Sequence, residues 1–388
     1  MKIYDSLIVG AGPAGSTLAG QLAKNSFSVL VLEGNKSLKR KVCGEYLCPL
    51  GVKLLKDKGL ASVLDPFIKV LGMKIYSPKG IEVDATFPET DTFCEKGVSL
   101  NRSIFDNSLV DYAKDQGAEI LFDSLVKDFS FNGTFWEVHD YKGNTYRARL
   151  LIGADGVRSK VAKKLNLTLK SETKRVAIHC WKRGEFNFER KGEMHLFTGG
   201  SYIGVDPITN SEVNLSLVCD ASLIKEFKTP RDILNSYIQK SVSLRKSVGG
   251  LNENEEVFTI SPITHRVKQA ITHQAALVGD AAGFVDPLTG EGIFNAIWMS
   301  MKLSECLVKE RNSLFDFKES LESYEKIRVD FFREKTNLNR FFQWLIHWNF
   351  LLNLVALFLR RKKSRADSFV GIIGNIYKPL TGLLKILR

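Results

Sequence analysis

The sequence predicts a mixed α/β protein. A parallel βαβ domain is interrupted by an antiparallel-sheet domain and followed by a C-terminal helical region. Three observations carry this expectation. An apolar strand runs into a glycine turn and a helix at the N-terminus, apolar and polar residues alternate through the middle of the chain, and an apolar strand with a second glycine-rich turn returns after residue 268. The 388 residues suffice for two core-bearing regions, and 44% hydrophobic with 25% charged residues is a globular composition, not a disordered one.

Residues Ile3 to Val9 read as a buried strand, Pro13 to Lys24 as a helix and Ser28 to Glu33 ("SVLVLE") as a second strand. A loop rich in Lys, Cys and Gly follows (Lys36 to Leu50), then a helical "GVKLLKDKGL" and a β-flavoured region from Phe67 to Phe93. Asn101 to Gly117 has helical period, and "EILFDSLVKDFSF", "TFWEVHDY" and "TYRARLLIGADG" form a meander that closes on another glycine turn. From Val176 to Val218 the alternation indicates antiparallel strands, and Pro230 to Ser247 reads as a helix. The strand "QAALVGD" then rejoins the first domain, followed by a helix from Gly292 to about Arg311. The expected division assigns residues 1–66, 98–170 and 268–311 to the first domain, 67–97 and 171–267 to the second, and 312–388 to the helical region.

The N-terminal "MKIYDSLIVGAGPAGSTLAG" is better used as a strand and a glycine turn than as a secretory signal. Cys43, Cys48, Cys94, Cys180, Cys219 and Cys306 are scattered, with no CxxC pair and no zinc spacing, so no metal is expected and a reducing cytoplasm fits. The formal charge of +12 is concentrated in the tail: from Leu351 onward Arg360, Arg361, Lys362, Lys363, Arg365, Lys378, Lys385 and Arg388 face the single acid Asp367. A basic cluster beside apolar sequence suits peripheral contact with an anionic cytoplasmic membrane face. No aromatic-basic RNA signature or DNA-reading motif accompanies it, so no nucleic acid is expected. The stretch from Phe341 to Lys363 carries about nineteen uncharged, mainly apolar residues, near the lower length for a bilayer span. Gln343, His347, Asn349 and Asn353 favour an interfacial or core helix instead.

Three glycine turns carry the chemistry. The first is "GAGPAG", set between strand and helix, with Glu33 ending the next strand. Gly10 permits a tight turn, Gly12 lets backbone approach a pyrophosphate, and Gly15 lets helix and strand pack. Pro13 and Ala14 occupy the helix start, where the missing N–H of proline is harmless. Glu33 is placed to accept ribose hydroxyls. This is a dinucleotide fingerprint, and since it occurs once, a tightly held second dinucleotide with its own domain is not expected; FAD is. The second turn, "LLIGADGVRSKV", presents Asp155 and Gly156, and the third is "GDAAGFVDPLTGEGIFNA", Gly279 to Ala296.

In their order and spacing these pieces resemble the FAD-dependent hydroxylase and geranylgeranyl reductase superfamily, whose fold is similar to that of p-hydroxybenzoate hydroxylase. The likeness spans most of residues 3 to 310. It implies a Rossmann-like FAD-binding domain with an inserted antiparallel-sheet substrate domain. It also implies FAD on Asp280 through its ribityl chain, and on Pro287, Gly290, Gly292 and Ile293 along the flavin ring. Backbone N–H groups at that helix start would face the charge of reduced flavin. By the same resemblance Asp155 and Gly156 support the pyrophosphate and Arg102 contacts FAD.

"RKVCGEYLCPLGVKLLKDKGL" looks like the Cys-Gly segment of the geranylgeranyl reductase branch, which places Cys43 and Gly44 near the flavin and makes Cys43 a catalytic candidate, with Glu45 beside it as a proton donor or an ordinary surface ion pair. One departure matters. That branch carries Tyr-x-Trp-x-Phe-Pro in its substrate domain, whereas "YIGVDP" keeps Tyr202 and Pro207 but sets Gly204 and Asp206 in place of Trp and Phe. Tyr202 is expected on the substrate pocket. The resemblance implies a lipophilic small-molecule substrate and NAD(P)H as a transient electron donor. Hydride transfer to a C=C bond is favoured, with a hydroxylating monooxygenase as the alternative and a non-catalytic prenyl or lipid carrier as the reading outside enzymology.

Overall fold

The computed structural model describes residues 2–170, 175–261, 263–284, 288, 290–310 and 316–388. Two large sheets face each other. The first has eight strands, in the order Ile271–Thr272, Ala275–Leu277, Thr145–Gly153, Ile3–Val9, Val29–Leu32 and Glu119–Leu121. Trp136–Asp140 and Val126–Phe131 continue antiparallel from Thr145–Gly153. Its central pairs are parallel, with Ile8 opposite both Val31 and Ile152. Parallel strands are covered on both faces, which is why "VLVL" of Val29–Leu32 is buried throughout.

The helix Pro13–Lys24 lies between Arg102–Asp115 and Gly292–Lys309. Small residues permit this approach: a Cβ on Gly20 would stand 2.4 Å from the Tyr112 ring, and Ser300 Oγ donates to the Ala14 carbonyl at 2.8 Å. Asn101 caps the helix Arg102–Asp115 by accepting from Ser103 and Ile104 N–H.

The second sheet has seven strands in the order Val257–Ile260, Arg175–Arg183, Glu212–Asp220, Tyr202–Thr209, Lys191–Leu196, Gly72–Tyr76 and Glu82–Thr86. All neighbours are antiparallel except Lys191–Leu196 with Gly72–Tyr76. The side-chain period of two gives this sheet unlike faces. Ile178, Cys180, Ile203, Val205, Leu215 and Leu217 pack in an apolar layer with the helices Pro230–Lys240 and Val242–Val248. The opposite face carries His179, Tyr202, Gly204, Asp206 and Ser216 towards the first sheet.

Several expected elements are subdivided. Residues 119–131 form two strands, and the helix expected over 230–247 breaks at Ser241, whose side chain caps its second half by accepting from Leu244 N–H at 3.2 Å. The apolar stretch from Phe341 is not one helix. Lys318–Leu345 and Asn349–Arg360 meet at 112° across a turn, and among the described residues no single helix is long and apolar enough to cross a membrane. This tail also belongs to the main core: Ala356, Leu359, Ala366, Val370 and Ile372 are buried in it, and Asp367 accepts from Thr86 N–H at 2.7 Å.

Candidate active site

One cavity of about 1080 Å³ runs from the first glycine turn to the inner face of the second sheet. At its first end Gly10 adopts φ 104°, and a Cβ there would stand 2.6 Å from the Ala154 carbonyl oxygen, so the strand ends meet backbone to backbone. A Cβ on Gly15 would lie 1.9 Å from the Gly10 carbonyl oxygen. Gly12 is the contrast: the nearest atom to its Cβ position is Lys41 Nζ at 3.8 Å. Gly12, Pro13 and Ala14 line the cavity, and the helix they open has no side chain capping its N–H groups. Open backbone, unpaired N–H groups and a lysine ammonium form a donor set that suits phosphate oxygens. Glu33 is buried and ties the turn together, accepting from Ala11 N–H at 3.0 Å and from Asn35 N–H at 3.0 Å.

Asp155 also borders the cavity, with its carboxylate committed locally. It accepts from Ser159 Oγ and from the N–H groups of Lys160 and Val161, fixing the turn in which Gly156 adopts φ 79°. Asp280 lies on the wall within the turn Gly279–Ala282, and burial pushes its carboxyl up to about 6. Gly290 at φ 67°, Gly292 and Ile293 bring the start of Gly292–Lys309 to the same cavity, and this helix too lacks a side-chain cap. Pro287 lies outside the described residues.

The Cys-Gly segment forms the junction between the sheets. Gly44 faces open space and Cys43 lies beside it on the wall. Burial pushes the Cys43 thiol up, against the pull of Arg102, so it is a neutral packed thiol and not a nucleophilic thiolate. Arg102 grips Asp106 with two 2.8 Å hydrogen bonds one turn along its helix.

Glu45 is not a surface residue. It is fully buried at φ 55°, and Arg40 binds it bidentately at 2.8 and 2.6 Å. Trp181 Nε1 donates to it at 2.8 Å, Asn214 Nδ2 at 3.1 Å and Arg102 N–H at 3.0 Å. Both carboxylate oxygens are thus occupied as acceptors from four separate elements, an arrangement for holding the sheets in register and not for releasing a proton. Arg40 stacks over Trp181 at 4.5 Å and reaches Glu212 at 2.6 Å.

At the sheet end, Tyr202 is buried on the wall with the Arg175 guanidinium 5.4 Å from its ring centre. Ser216 lies between His179 Nδ1 and Asn214 Oδ1, 2.9 Å from each. Burial pushes His179 down to about 4, so it is neutral. Asp206 makes no hydrogen bond or ion pair to another described residue; burial, and then the charge of Glu45, push its carboxyl up to about 8. Sequence reasoning missed Lys41, Asn35, His179, Asn214 and Ser216. The available signal was alternation, since 202, 204 and 206 share a face with 214, 216 and 218 across the pair.

Taken together, a fingerprint turn, a second glycine-rich helix start and a large cavity between two sheets define an FAD-dependent oxidoreductase. The chain belongs to the FAD-binding domain family, whose model matches residues 4–337. It is 30% identical over 308 residues to a digeranylgeranylglycerophospholipid reductase of Methanosarcina acetivorans, covering 76% of this chain and 72% of that one. It is 31% identical over 306 residues to a menaquinone reductase of Mycolicibacterium smegmatis, covering 74% and 72%. Among solved structures, a flavoprotein/dehydrogenase from Cytophaga hutchinsonii shares the fold at a TM-score of 0.79 and 19% identity, covering 100% of this chain and 97% of that one.

Proposed function

We propose that this protein reduces a carbon–carbon double bond in a lipophilic substrate, with NAD(P)H as a transient electron donor. The observation that carries the reading is the continuity of the cavity: the fingerprint turn, the Cys43–Gly44 segment and the start of Gly292–Lys309 open into the same space as the apolar Tyr202, Met73, Met194 and Ile263. The two reductases above act on lipophilic molecules by name, which supports the same substrate class here.

In this reading Gly10, Gly12, Pro13, Ala14, Gly15 and Glu33 hold the nucleotide half of FAD, with Asp155, Gly156 and Arg102 around it. Asp280, Gly290, Gly292 and Ile293 hold the flavin half. When bound, FAD supplies two-electron hydride chemistry. The protein's own share is positional: uncapped helix starts stabilise negative charge, and buried side chains keep water from the reacting carbons.

The tail supplies a second element. Phe341, Trp344, Trp348, Phe350, Leu354 and Leu357 are exposed on the bent helix pair, and Phe350 is 73% exposed. Arg360, Arg361, Lys362 and Lys363 follow directly. We place this surface against an anionic membrane face of the cytoplasm, from which a lipophilic substrate enters. Truncating the tail would also remove core residues, so the test uses W344S/W348S/F350S in flotation with anionic vesicles. Binding should weaken at least tenfold, given about 1.5 kcal/mol or more for each large apolar side chain withdrawn; unchanged flotation removes the membrane reading.

The reaction is tested by mass spectrometry of a host lipid extract incubated in air with protein, FAD and NAD(P)H. A metabolite gaining two hydrogens supports reduction, whereas one gaining a single oxygen makes the protein a monooxygenase.

A further inference from the structure

Three features of the inner sheet face fall together at one residue. Asp206 lies on the inner sheet face and lines the wall of the cavity. It lies across from Gly192, whose Cβ position is 3.2 Å from Asp206 Oδ1, so the missing side chain leaves room for a carboxyl where a larger neighbour would crowd it. No other described residue donates to it or pairs with it. A half-buried carboxyl group on a cavity wall, with neither a counter-ion nor a hydrogen-bond donor from a described residue, favours the neutral acid.

We propose that Asp206 is the catalytic proton donor, supplying the proton that complements hydride delivery to the substrate double bond. The inference rests on the reductive reading above. The π bond of the substrate breaks, one carbon takes hydride from the reduced cofactor, and the other takes the proton from Asp206. Two C–H bonds form, the cofactor is oxidised, and NAD(P)H restores its electrons. Asp206 is left as a carboxylate and regains its proton from solvent after product leaves.

The neighbours explain how the acid is kept protonated. From the loop before Leu47, Glu45 presents a charge locked by Arg40, Trp181 and Asn214, and Tyr46 adds a neutral phenol whose own ionisation Asp206 opposes. From Glu212–Asp220, Asn214 lies opposite Asp206 in the ladder, and Glu212 is already bound to Arg40. From Arg175–Arg183, His179 is neutral. From the start of Gly292–Lys309, Glu291 is paired with Lys335. Glu45 therefore acts as a positioning residue: its carboxylate is fixed in place by Arg40, Trp181 and Asn214, and it adds to burial in opposing a second negative charge at Asp206. The sign follows. Asp206 holds its proton below about pH 8 and loses it above, so turnover should fall as pH rises through that value.

The experiment uses the full-length FAD-loaded protein, with Asp206→Asn and Asp206→Glu. Infrared difference titration should show a buried carboxylic acid C=O band that disappears with a midpoint near pH 8 and is missing from Asp206→Asn. In parallel, turnover is followed on menaquinone and on a digeranylgeranylglycerophospholipid. Asp206→Asn should lose on the order of 100-fold or more in turnover, with flavin content and the rate of flavin reduction by NAD(P)H unchanged, and Asp206→Glu should recover part of it. Absence of the titrating band at pH 7 overturns the proposal, as does wild-type turnover in Asp206→Asn. Failure of the wild-type protein to reduce either substrate overturns the reductive reading and the donor role with it. Persistence of the band in that case shows that the fault lies in the reading and not in the protonation of Asp206.

Discussion

At the glycine-turn end of the cavity, backbone from six consecutive residues sets the geometry; at the sheet end, side chains from four strands and a loop do. Gly10, Gly12 and Gly15 act by what they lack, and two of them cannot carry a Cβ without moving main-chain carbonyls. His179, Asp206, Asn214 and Ser216 act by what they carry, and each is positioned by register. A backbone-built site tolerates almost no variation, whereas a face built from alternate strand positions can change its chemistry one residue at a time while the opposite, apolar face keeps the sheet folded. That contrast sets the fingerprint turn, fixed by main-chain fit, against a sheet face whose chemistry at Gly204 and Asp206 is set by single side chains.

The largest effects should follow from the backbone-built end. Gly15→Ala places a Cβ 1.9 Å from the Gly10 carbonyl oxygen, so the helix must leave the strand. A loss of roughly 3 kcal/mol or more is expected in denaturant unfolding, together with loss of bound FAD. Gly12→Ala separates the two effects, because its Cβ enters open space. Stability should stay within about 1 kcal/mol while FAD affinity drops about tenfold or more. Equal destabilisation by both substitutions would break the distinction between packing glycine and cofactor-facing glycine.

Next comes the joint between the two ends. Glu45→Ala leaves Arg40, Trp181 and Asn214 without their shared acceptor, and stripping one partner from a buried charge cluster costs about 3–5 kcal/mol. Glu45→Gln keeps the size and part of the hydrogen bonding and should lose less. If both variants unfold at the wild-type denaturant midpoint, Glu45 does not join the sheets.

These residues also mark how far the sequence could be read. The strand, turn and acid of the first forty residues obey local rules, and the third glycine turn is recognisable by its own composition, so the dinucleotide end was legible. The sheet end was not. Glu45 reads as surface because its partners Arg40, Trp181 and Asn214 are scattered over 175 positions, and only the register of Trp181 opposite Asn214 brings them together. His179 and Ser216 were missed for the same reason. In the tail, hydropathy over Phe341 to Leu359 was plain, but the turn between Leu345 and Asn349 carries no glycine or proline to announce it.

A smaller effect tests the electrostatics of the sheet face. His179 is neutral with its folded value near 4, below the ordinary value of 6.5. Between those values the unfolded chain binds a proton that the folded protein does not, so this contribution to stability is fully present above pH 6.5 and is lost as pH falls towards 4. His179→Asn should flatten the acid limb of the stability profile by about 3 kcal/mol across that window. An unchanged limb would mean that His179 reaches solvent.

The mildest substitution is the sharpest test of the comparison. Gly204 lies between Met194 and Ser216 in the ladder, and a Cβ there would meet nothing within 4 Å. Gly204→Trp therefore grows into the cavity and not into the core. Stability should change by less than about 1 kcal/mol, and FAD content should not change, because the indole is placed at the sheet end. If that end receives the substrate, KM for a bulky lipid should rise about tenfold while flavin reduction by NAD(P)H keeps its rate, the signature of lost uniform binding. If KM is unmoved, the space above Gly204 is not used by substrate, and the sheet face serves the cofactor as the glycine end does.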